Sequence, residues 1–127
     1  MARILIAKDE EALRGLIARA LTEDGHTVTT TSDGADALDT LARGGGTFEL
    51  LLADIRMPIM DGIALALAAA RDHPEMIILL MTGFADQIER AYGLDALIQD
   101  VITKPFSVTA IRDAVNGALA AASWRLQ

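Results

Sequence analysis

The strongest constraint on the fold is a regular alternation between short, continuous apolar runs and longer segments with apolar residues at helical spacing. Three runs are almost wholly apolar, which is typical of strands buried on both faces of a parallel sheet: Arg3–Ala7, Phe48–Ala53 and Met76–Met81. Two weaker runs, His26–Thr31 and Asp100–Thr103, are predicted to be strands at or near the sheet edges. The alternation therefore predicts an α/β fold with a five-stranded parallel sheet.

Helical spacing, with apolar residues every three or four positions, follows each of the first three strands and the last one. These segments are Leu13–Leu21, Ala35–Ala42, Ile63–Ala70 and Ile111–Leu119. Ser32 or Asp33 is predicted to cap the second helix, and Ser107 the last. A further segment, Ala85–Leu97, is interrupted by Gly93, so we expect a short or mobile helix there.

Length and composition narrow the class of protein. A chain of 127 residues is the size of one domain, which we expect over residues 1–122, followed by a short tail at 123–127. The formal net charge of −7 disfavours non-specific binding to nucleic acid or to an anionic membrane surface. No apolar run is long enough to span a bilayer, no signal peptide is visible, and cysteine is absent. We therefore expect a cytoplasmic protein without thiolate chemistry.

A doubly wound sheet places its functional site at the carboxyl ends of the strands. Polar residues follow four of the five predicted strands at this edge: Lys8 and Asp9, then Asp54, then Thr82, then Lys104. Because these strand ends are neighbours in such a sheet, their side chains are expected to converge on one crevice.

These residue types suit phosphoryl-transfer chemistry. The carboxylates of Asp9 and Asp54 can together bind Mg²⁺, which prefers hard oxygen ligands. Asp54 can also attack phosphorus to form an acyl phosphate, while the Lys104 ammonium neutralises charge on the phosphoryl oxygens. The Thr82 hydroxyl can reach a phosphoryl oxygen and would move inward only when one is present, which would make it a sensor of phosphorylation.

Three motifs at these intervals resemble the CheY-like receiver domains of bacterial two-component response regulators. They are "DIRMPIMDG" (Asp54–Gly62), the "MTG" that ends the fourth strand, and "KPF" (Lys104–Phe106), and the resemblance extends from Arg3 to Leu119. It implies a flavodoxin-like sheet with strand order 2-1-3-4-5 and helices on both faces.

The resemblance also implies roles for individual residues. Asp54 would accept a phosphoryl group from a histidine kinase or phosphotransfer protein, with Thr82 as the switch hydroxyl and Lys104 as the phosphate-pairing lysine. The family's Mg²⁺ ligands correspond to Asp9, Asp54 and the backbone carbonyl of Arg56. The expected product is a phosphoprotein in a phosphorelay rather than a conventional enzyme, with only self-phosphorylation and autodephosphorylation chemistry.

The short segment after the last helix leads us to expect a stand-alone receiver that acts by protein contact, unless the chain is a fragment of a larger protein. A downstream target protein would bind the face made by the segment Ala85–Leu97, the fifth strand and the last helix; nucleic acid and membranes are not expected partners. A small-molecule phosphohydrolase or phosphotransferase of the haloacid-dehalogenase type is disfavoured, because such enzymes need a second aspartate two residues after the nucleophile, where this chain has Arg56.

Lys8 departs from the family pattern, in which two adjacent acids end the first strand. Exchanging a carboxylate for an ammonium shifts the local charge by two units, each worth roughly 2 to 3 kcal/mol at about 6 Å and an effective dielectric constant near 20. We expect weakened Mg²⁺ binding and a pair between Lys8 and Asp54. The alternatives are that Lys8 extends into solvent, or that the chain is a degenerate, phosphorylation-independent interaction module. Glu10 is expected to open the first helix and face away.

A second departure concerns how a switch would be reported. Val101 occupies a position that in the family often holds an aromatic residue, so a rotating ring is absent there. Phe84, two residues after Thr82, either reports the switch to a partner or covers the apolar end of the sheet.

Overall fold

The computed structural model describes most of the chain, namely residues 2–44, 48–83, 90–91, 93–94, 97–103 and 107–125. Five parallel strands form one sheet in the order β2-β1-β3-β4-β5. The strands are β1 (Arg3–Ala7), β2 (Thr27–Thr31), β3 (Leu50–Asp54), β4 (Ile77–Thr82) and β5 (Asp100–Thr103). The predicted sheet and its strand order are confirmed, and the two weaker runs do form the edge strands.

Helices cover both faces of this sheet. Within the described residues they are α1 (Glu11–Glu23), α2 (Gly34–Arg43), α3 (Gly62–Asp72) and α4 (Val108–Arg125). Apolar residues of α1 and α4 pack on one face, and those of α2 and α3 pack on the other. The sheet is therefore doubly wound, with one apolar core on each side, and α4 extends three residues past the predicted domain end at 122.

Helix capping follows the sequence signals. The Asp33 carboxylate accepts a hydrogen bond from the Asp36 amide at 2.7 Å, so Asp33 caps α2. The Ser107 hydroxyl accepts one from the Ala110 amide at 3.0 Å at the start of α4. Most of the predicted helix at Ala85–Leu97 lies outside the described residues. No helix in the described part of the chain is long and apolar enough to cross a membrane.

A polar cluster joins α4 to the turn between α1 and β2. The guanidinium of Arg112 donates hydrogen bonds to both carboxylate oxygens of Asp24, with Nε 2.8 Å from Oδ2. The Asn116 amide donates to the same Oδ2 at 2.8 Å. Chiefly because of the Arg112 hydrogen bonds, the pKa of Asp24 is lowered to about 2. This charged pair anchors the last helix over a separation of 88 residues in the chain.

His26 completes the same cluster from the sheet side. Its side chain is buried; Nδ1 accepts a hydrogen bond from the Ala2 amide at 3.3 Å, and Nε2 lies 2.7 Å from Oδ1 of Asn116. Because the Ala2 N–H needs an acceptor at Nδ1, the proton belongs on Nε2, which donates to Asn116. The imidazole thus fills a structural role that links the N-terminus of the chain to α4.

The start of α3 lies unusually close to the end of β3. An added Cβ on Gly62 would be 2.4 Å from the carbonyl oxygen of Asp54 and 2.8 Å from the Cα of Ile55. The Gly62 amide donates to the Ile55 carbonyl at 2.8 Å, and the Asp61 carboxylate caps the helix through the Ala64 amide. Glycine at position 62 therefore lets the helix start against the backbone of Asp54.

The lowered pKa of Asp24 predicts a stabilisation that depends on pH. The folded pKa of about 2 lies below the ordinary value of 3.8, so the contribution is present above the ordinary value and is lost as pH falls through the folded one. Asp24→Asn should lower the free energy of unfolding near about pH 6, and its deficit should shrink between about pH 5 and about pH 2. Urea unfolding followed by circular dichroism measures this.

The matched control is Asp39→Asn, which removes an aspartate from the exposed Arg43–Asp39 pair on α2. Its deficit should be smaller than that of Asp24→Asn near neutral pH. A deficit for Asp24→Asn that stays constant down to about pH 2 would contradict the assignment.

Gly62→Ala should destabilise the protein by roughly 1–3 kcal/mol, because the new methyl group collides with backbone atoms that cannot rotate away. Gly117→Ala is the control, since an added Cβ there meets nothing within 4 Å. That variant should be more stable by about 0.5–1 kcal/mol, because alanine favours a helix interior over glycine. Chemical denaturation of both variants tests the contrast, and equal effects would show that the Gly62 contact is relaxed at little cost.

Candidate functional site

Strand register brings two charged side chains together at the carboxyl edge of the sheet. Ala7 of β1 is paired with Ala53 of β3, so the next residues, Lys8 and Asp54, stand side by side. Side chains alternate between the faces of a strand, and Lys8 and Asp54 both fall in phase with residues of the core under α1 and α4. The two side chains therefore point to the same side of the sheet.

Lys8 and Asp54 form an ion pair. The Lys8 Nζ lies 2.7 Å from Oδ2 of Asp54, and the two side chains are only 5% and 16% exposed. The predicted pairing is thus present, and the alternative in which Lys8 extends into solvent is wrong. The other oxygen of Asp54, Oδ1, accepts a longer hydrogen bond of 3.3 Å from the Arg56 amide.

The backbone around Lys8 is held on two sides. Its amide donates to the carbonyl of Thr31 at 3.1 Å, which continues the β1–β2 ladder by one residue. Nη1 of Arg14 donates to the carbonyl of Lys8 at 2.9 Å and approaches that of Asp9 at 3.5 Å. These contacts hold the turn that aims the Lys8 side chain inward, and they identify Arg14 as a positioning residue.

Sequence reasoning missed Arg14. The available signal was an arginine at the end of the first turn of α1, where a long side chain can bend back towards carbonyl groups just before the helix. This contact still depends on the angle between β1 and α1, which is a tertiary property.

The other predicted site residues that the structure describes lie at the same edge. Asp9 and Glu10 are exposed, and Glu10 precedes α1 at its N-cap position. Thr82 is buried at the end of β4, one residue beyond Met81, the partner of Asp54 in the ladder. Lys104, Pro105 and Phe84 lie outside the described residues.

The loop after Asp54 packs against the core through two methionines. Met57 is buried in the core under α2 and α3, and Met60 packs against that core. Ile59 between them is 83% exposed and has a φ of 71°. At the far edge of the sheet, Val101 is buried in β5.

The residues at this edge meet only part of what a divalent cation requires. The carboxylates of Asp9 and Asp54 and the carbonyl of Arg56 are hard oxygen donors, as Mg²⁺ requires. However, Oδ2 of Asp54 is bonded to a buried ammonium, and no cluster of three His, Cys, Asp or Glu side chains suited to a metal exists in the described part of the chain. As arranged, these residues do not fit a divalent cation, because the Lys8 charge occupies its place.

Comparisons with known proteins agree with this geometry. Residues 4–116 match the family described as the response regulator receiver domain. The receiver protein CpdR of Brucella abortus is 39% identical over 116 residues, which cover 91% of this chain and 92% of CpdR. The transcriptional regulatory protein TcrA of Mycobacterium tuberculosis is 37% identical over 106 residues, so the match covers 84% of this chain and only 41% of TcrA.

Solved structures show the same architecture. A CheY-like receiver domain protein from Methanospirillum hungatei superposes with a TM-score of 0.88 at 25% sequence identity, over 98% of each chain. The strand order and the helices on both faces are thus those of a known class of signalling domain.

The buried ion pair should contribute measurable coupling to stability. A double-mutant cycle with Lys8→Met and Asp54→Asn should give an interaction energy of about 1–3 kcal/mol, because neither charge is fully hydrated when its partner is removed. The control cycle uses Arg43 and Asp39, whose side chains are 73% and 62% exposed. That cycle should give no more than about 0.5 kcal/mol, since water screens an exposed pair. Equal coupling energies in both cycles would show that Lys8 is not held against Asp54 in solution.

Proposed function

The chain belongs to the receiver-domain family of two-component response regulators, and from this premise we propose that it accepts a phosphoryl group on Asp54. Receiver domains are phosphoacceptor signalling modules rather than conventional enzymes, and they partner with histidine kinases. The proposed donor is therefore the phosphohistidine of a kinase or of a phosphotransfer protein.

The observation that supports this proposal is the setting of the Asp54 carboxylate. It ends a strand that is otherwise buried, yet its side chain keeps 16% exposure at the carboxyl edge of the sheet. A carboxylate there is partly dehydrated and still open to a donor. By contrast, Asp9 is exposed, as expected for an acid that lies at the rim.

The proposed reaction is a direct transfer. A carboxylate oxygen of Asp54 attacks the phosphorus of the donor, the new O–P bond forms, and the bond between phosphorus and the donor's leaving atom breaks. Oδ1 is the better placed nucleophile, because its 3.3 Å contact with the Arg56 amide is weaker than the 2.7 Å bond from Lys8 to Oδ2. The products are an acyl phosphate on Asp54 and the donor without its phosphoryl group.

Neighbouring residues have proposed supporting roles. The Lys8 ammonium stabilises negative charge at Asp54, and Lys104 would pair with the phosphoryl oxygens. Thr82, buried at the end of the adjacent strand, would donate its hydroxyl to a phosphoryl oxygen and so report the modification. Receiver domains usually bind Mg²⁺, and Asp9, Asp54 and the Arg56 carbonyl would hold it here only once Lys8 has moved away from Asp54.

The proposed biological unit is a single-domain regulator that signals through a protein partner. The similarity to CpdR supports this, because it extends over 92% of that protein, whereas TcrA continues well beyond the matched region. Transfer from a histidine kinase would then change the surface that a downstream protein binds. With a net charge of −7, nucleic acid is not the proposed target.

A second candidate function follows from the ion pair itself. If Lys8 keeps Asp54 permanently neutralised, the chain is a phosphorylation-independent interaction module with the fold of a receiver. The 2.7 Å Lys8–Asp54 bond is the observation that favours it. The two candidates differ in one measurable property, namely the uptake of a phosphoryl group.

Incubation with acetyl phosphate at high Mg²⁺ concentration, followed by intact-protein mass spectrometry, separates these functions. We expect a gain of one phosphoryl group in the unaltered protein, none in Asp54→Asn, and a normal gain in Asp72→Asn. The last variant removes an exposed carboxylate on α3 and controls for non-specific acylation or phosphorylation. Absence of any gain in a folded protein would overturn the phosphoacceptor proposal and leave the interaction module.

A further inference from the structure

We infer that the Lys8 ammonium is the resident counter-ion of Asp54 and that a divalent cation binds this site only by displacing it. The inference deepens the proposed function, since it concerns the charge state of the same carboxylate. Its geometric basis, however, does not depend on whether Asp54 is phosphorylated.

First, the Lys8 ammonium and a divalent cation would have to share the Asp54 carboxylate. Nζ of Lys8 is 2.7 Å from Oδ2 of Asp54, the distance of a strong charge-assisted hydrogen bond. A Mg²⁺ ion coordinated by Asp54 would lie at about 2.1 Å from a carboxylate oxygen. Two cations so close to one carboxylate repel each other strongly, because little water separates them. Occupation by a metal and by the ammonium are therefore competing states.

The second step is that Lys8 is held inward. Its side chain is only 5% exposed, and its backbone is tied to Thr31 on one side and to Arg14 on the other. Arg14 also approaches the Asp9 carbonyl and brings a second positive charge to the turn. Displacing Lys8 thus means moving a buried side chain on a held backbone, which adds to the electrostatic cost of binding a metal.

The third step is the balance of charge around Asp54. At this edge the Lys8 ammonium contacts Asp54, the Arg14 guanidinium lies at the carbonyls of Lys8 and Asp9, and the carboxylates of Asp9 and Glu10 are exposed. An acid at position 8 would instead place a further carboxylate beside Asp54, which is a far stronger attraction for a divalent cation. The sequence position that sets cation affinity is therefore position 8.

Titration of unphosphorylated protein with Mg²⁺ by isothermal calorimetry tests the competition directly. We expect Lys8→Met to bind Mg²⁺ at least about tenfold more tightly than the unaltered protein, and Lys8→Asp about a hundredfold more tightly. Arg19→Met is the matched control, because Arg19 is an exposed cation of α1 and its loss changes the net charge equally. Its affinity should stay within about twofold of the unaltered protein's value. A Lys8→Met affinity equal to that of the unaltered protein would overturn the inference.

A second measurement uses the unaltered protein and remains decisive if Lys8→Met does not fold. The chain contains two lysines, Lys8 and Lys104, so selective ¹³C labelling at lysine Cε gives two signals, which Lys8→Arg assigns. Saturation with Mg²⁺ should shift the Lys8 signal towards that of a solvent-exposed lysine. Saturation that leaves the Lys8 signal in place would show that the ion binds without displacing the ammonium.

Acetyl phosphate labelling of the same proteins distinguishes failure of this inference from failure of the proposed function. Tighter Mg²⁺ binding by Lys8→Met, together with no phosphoryl uptake by the unaltered protein, would support the counter-ion and contradict the phosphoacceptor. Normal phosphoryl uptake with unchanged Mg²⁺ affinity in Lys8→Met would do the reverse.

Discussion

The pairing of β1 with β3 is the constraint on which the rest of the site depends. Ala7 stands opposite Ala53, so the residues that follow, Lys8 and Asp54, emerge at the same level and on the same side. A slip of one residue would place the two side chains on opposite faces of the sheet. Packing opposes such a slip, because both faces of β1 and β3 are buried and a shift of one residue would exchange the side chains that fill the two cores.

The resulting ion pair satisfies a requirement of each partner. A buried ammonium without a counter-charge is costly, and so is a carboxylate with 16% exposure beside an apolar core. Each group therefore lowers the free-energy cost of burying the other. This mutual dependence also explains why Lys8 competes with a divalent cation, since either cation would neutralise the Asp54 carboxylate.

The backbone around the pair is supported from three elements. Arg14 reaches back from α1 to the carbonyl of Lys8, β2 holds the Lys8 amide through Thr31, and α3 begins at Gly62 against the carbonyl of Asp54. On the same face of the sheet, α4 is anchored through Arg112 to the turn after α1. The site thus rests on contacts between elements that are distant in the chain, and changes at these supports should be felt at Asp54.

Local patterns in the sequence determined the elements of this protein. Continuous apolar runs and helical spacing identified the strands and helices, and Asp33 and Ser107 marked helix starts, because burial periodicity and capping act over a few residues. The rule that doubly wound parallel sheets place sites at the carboxyl ends of their strands predicted that Asp9, Asp54 and Thr82 lie at one edge. The family resemblance then supplied the chemistry expected of Asp54, which the family match supports at the level of the domain.

Only the tertiary structure decided where the long charged side chains go. A lysine stem reaches either solvent or a neighbouring strand, so the inward course of Lys8 depends on the register with β3 and on the Arg14 contact. The ion pair between Arg112 and Asp24 likewise joins residues 88 positions apart, and it forms because α4 packs beside α1. Short-range patterns cannot encode such pairs, since their energies depend on distances and burial that arise when the helices close over the sheet.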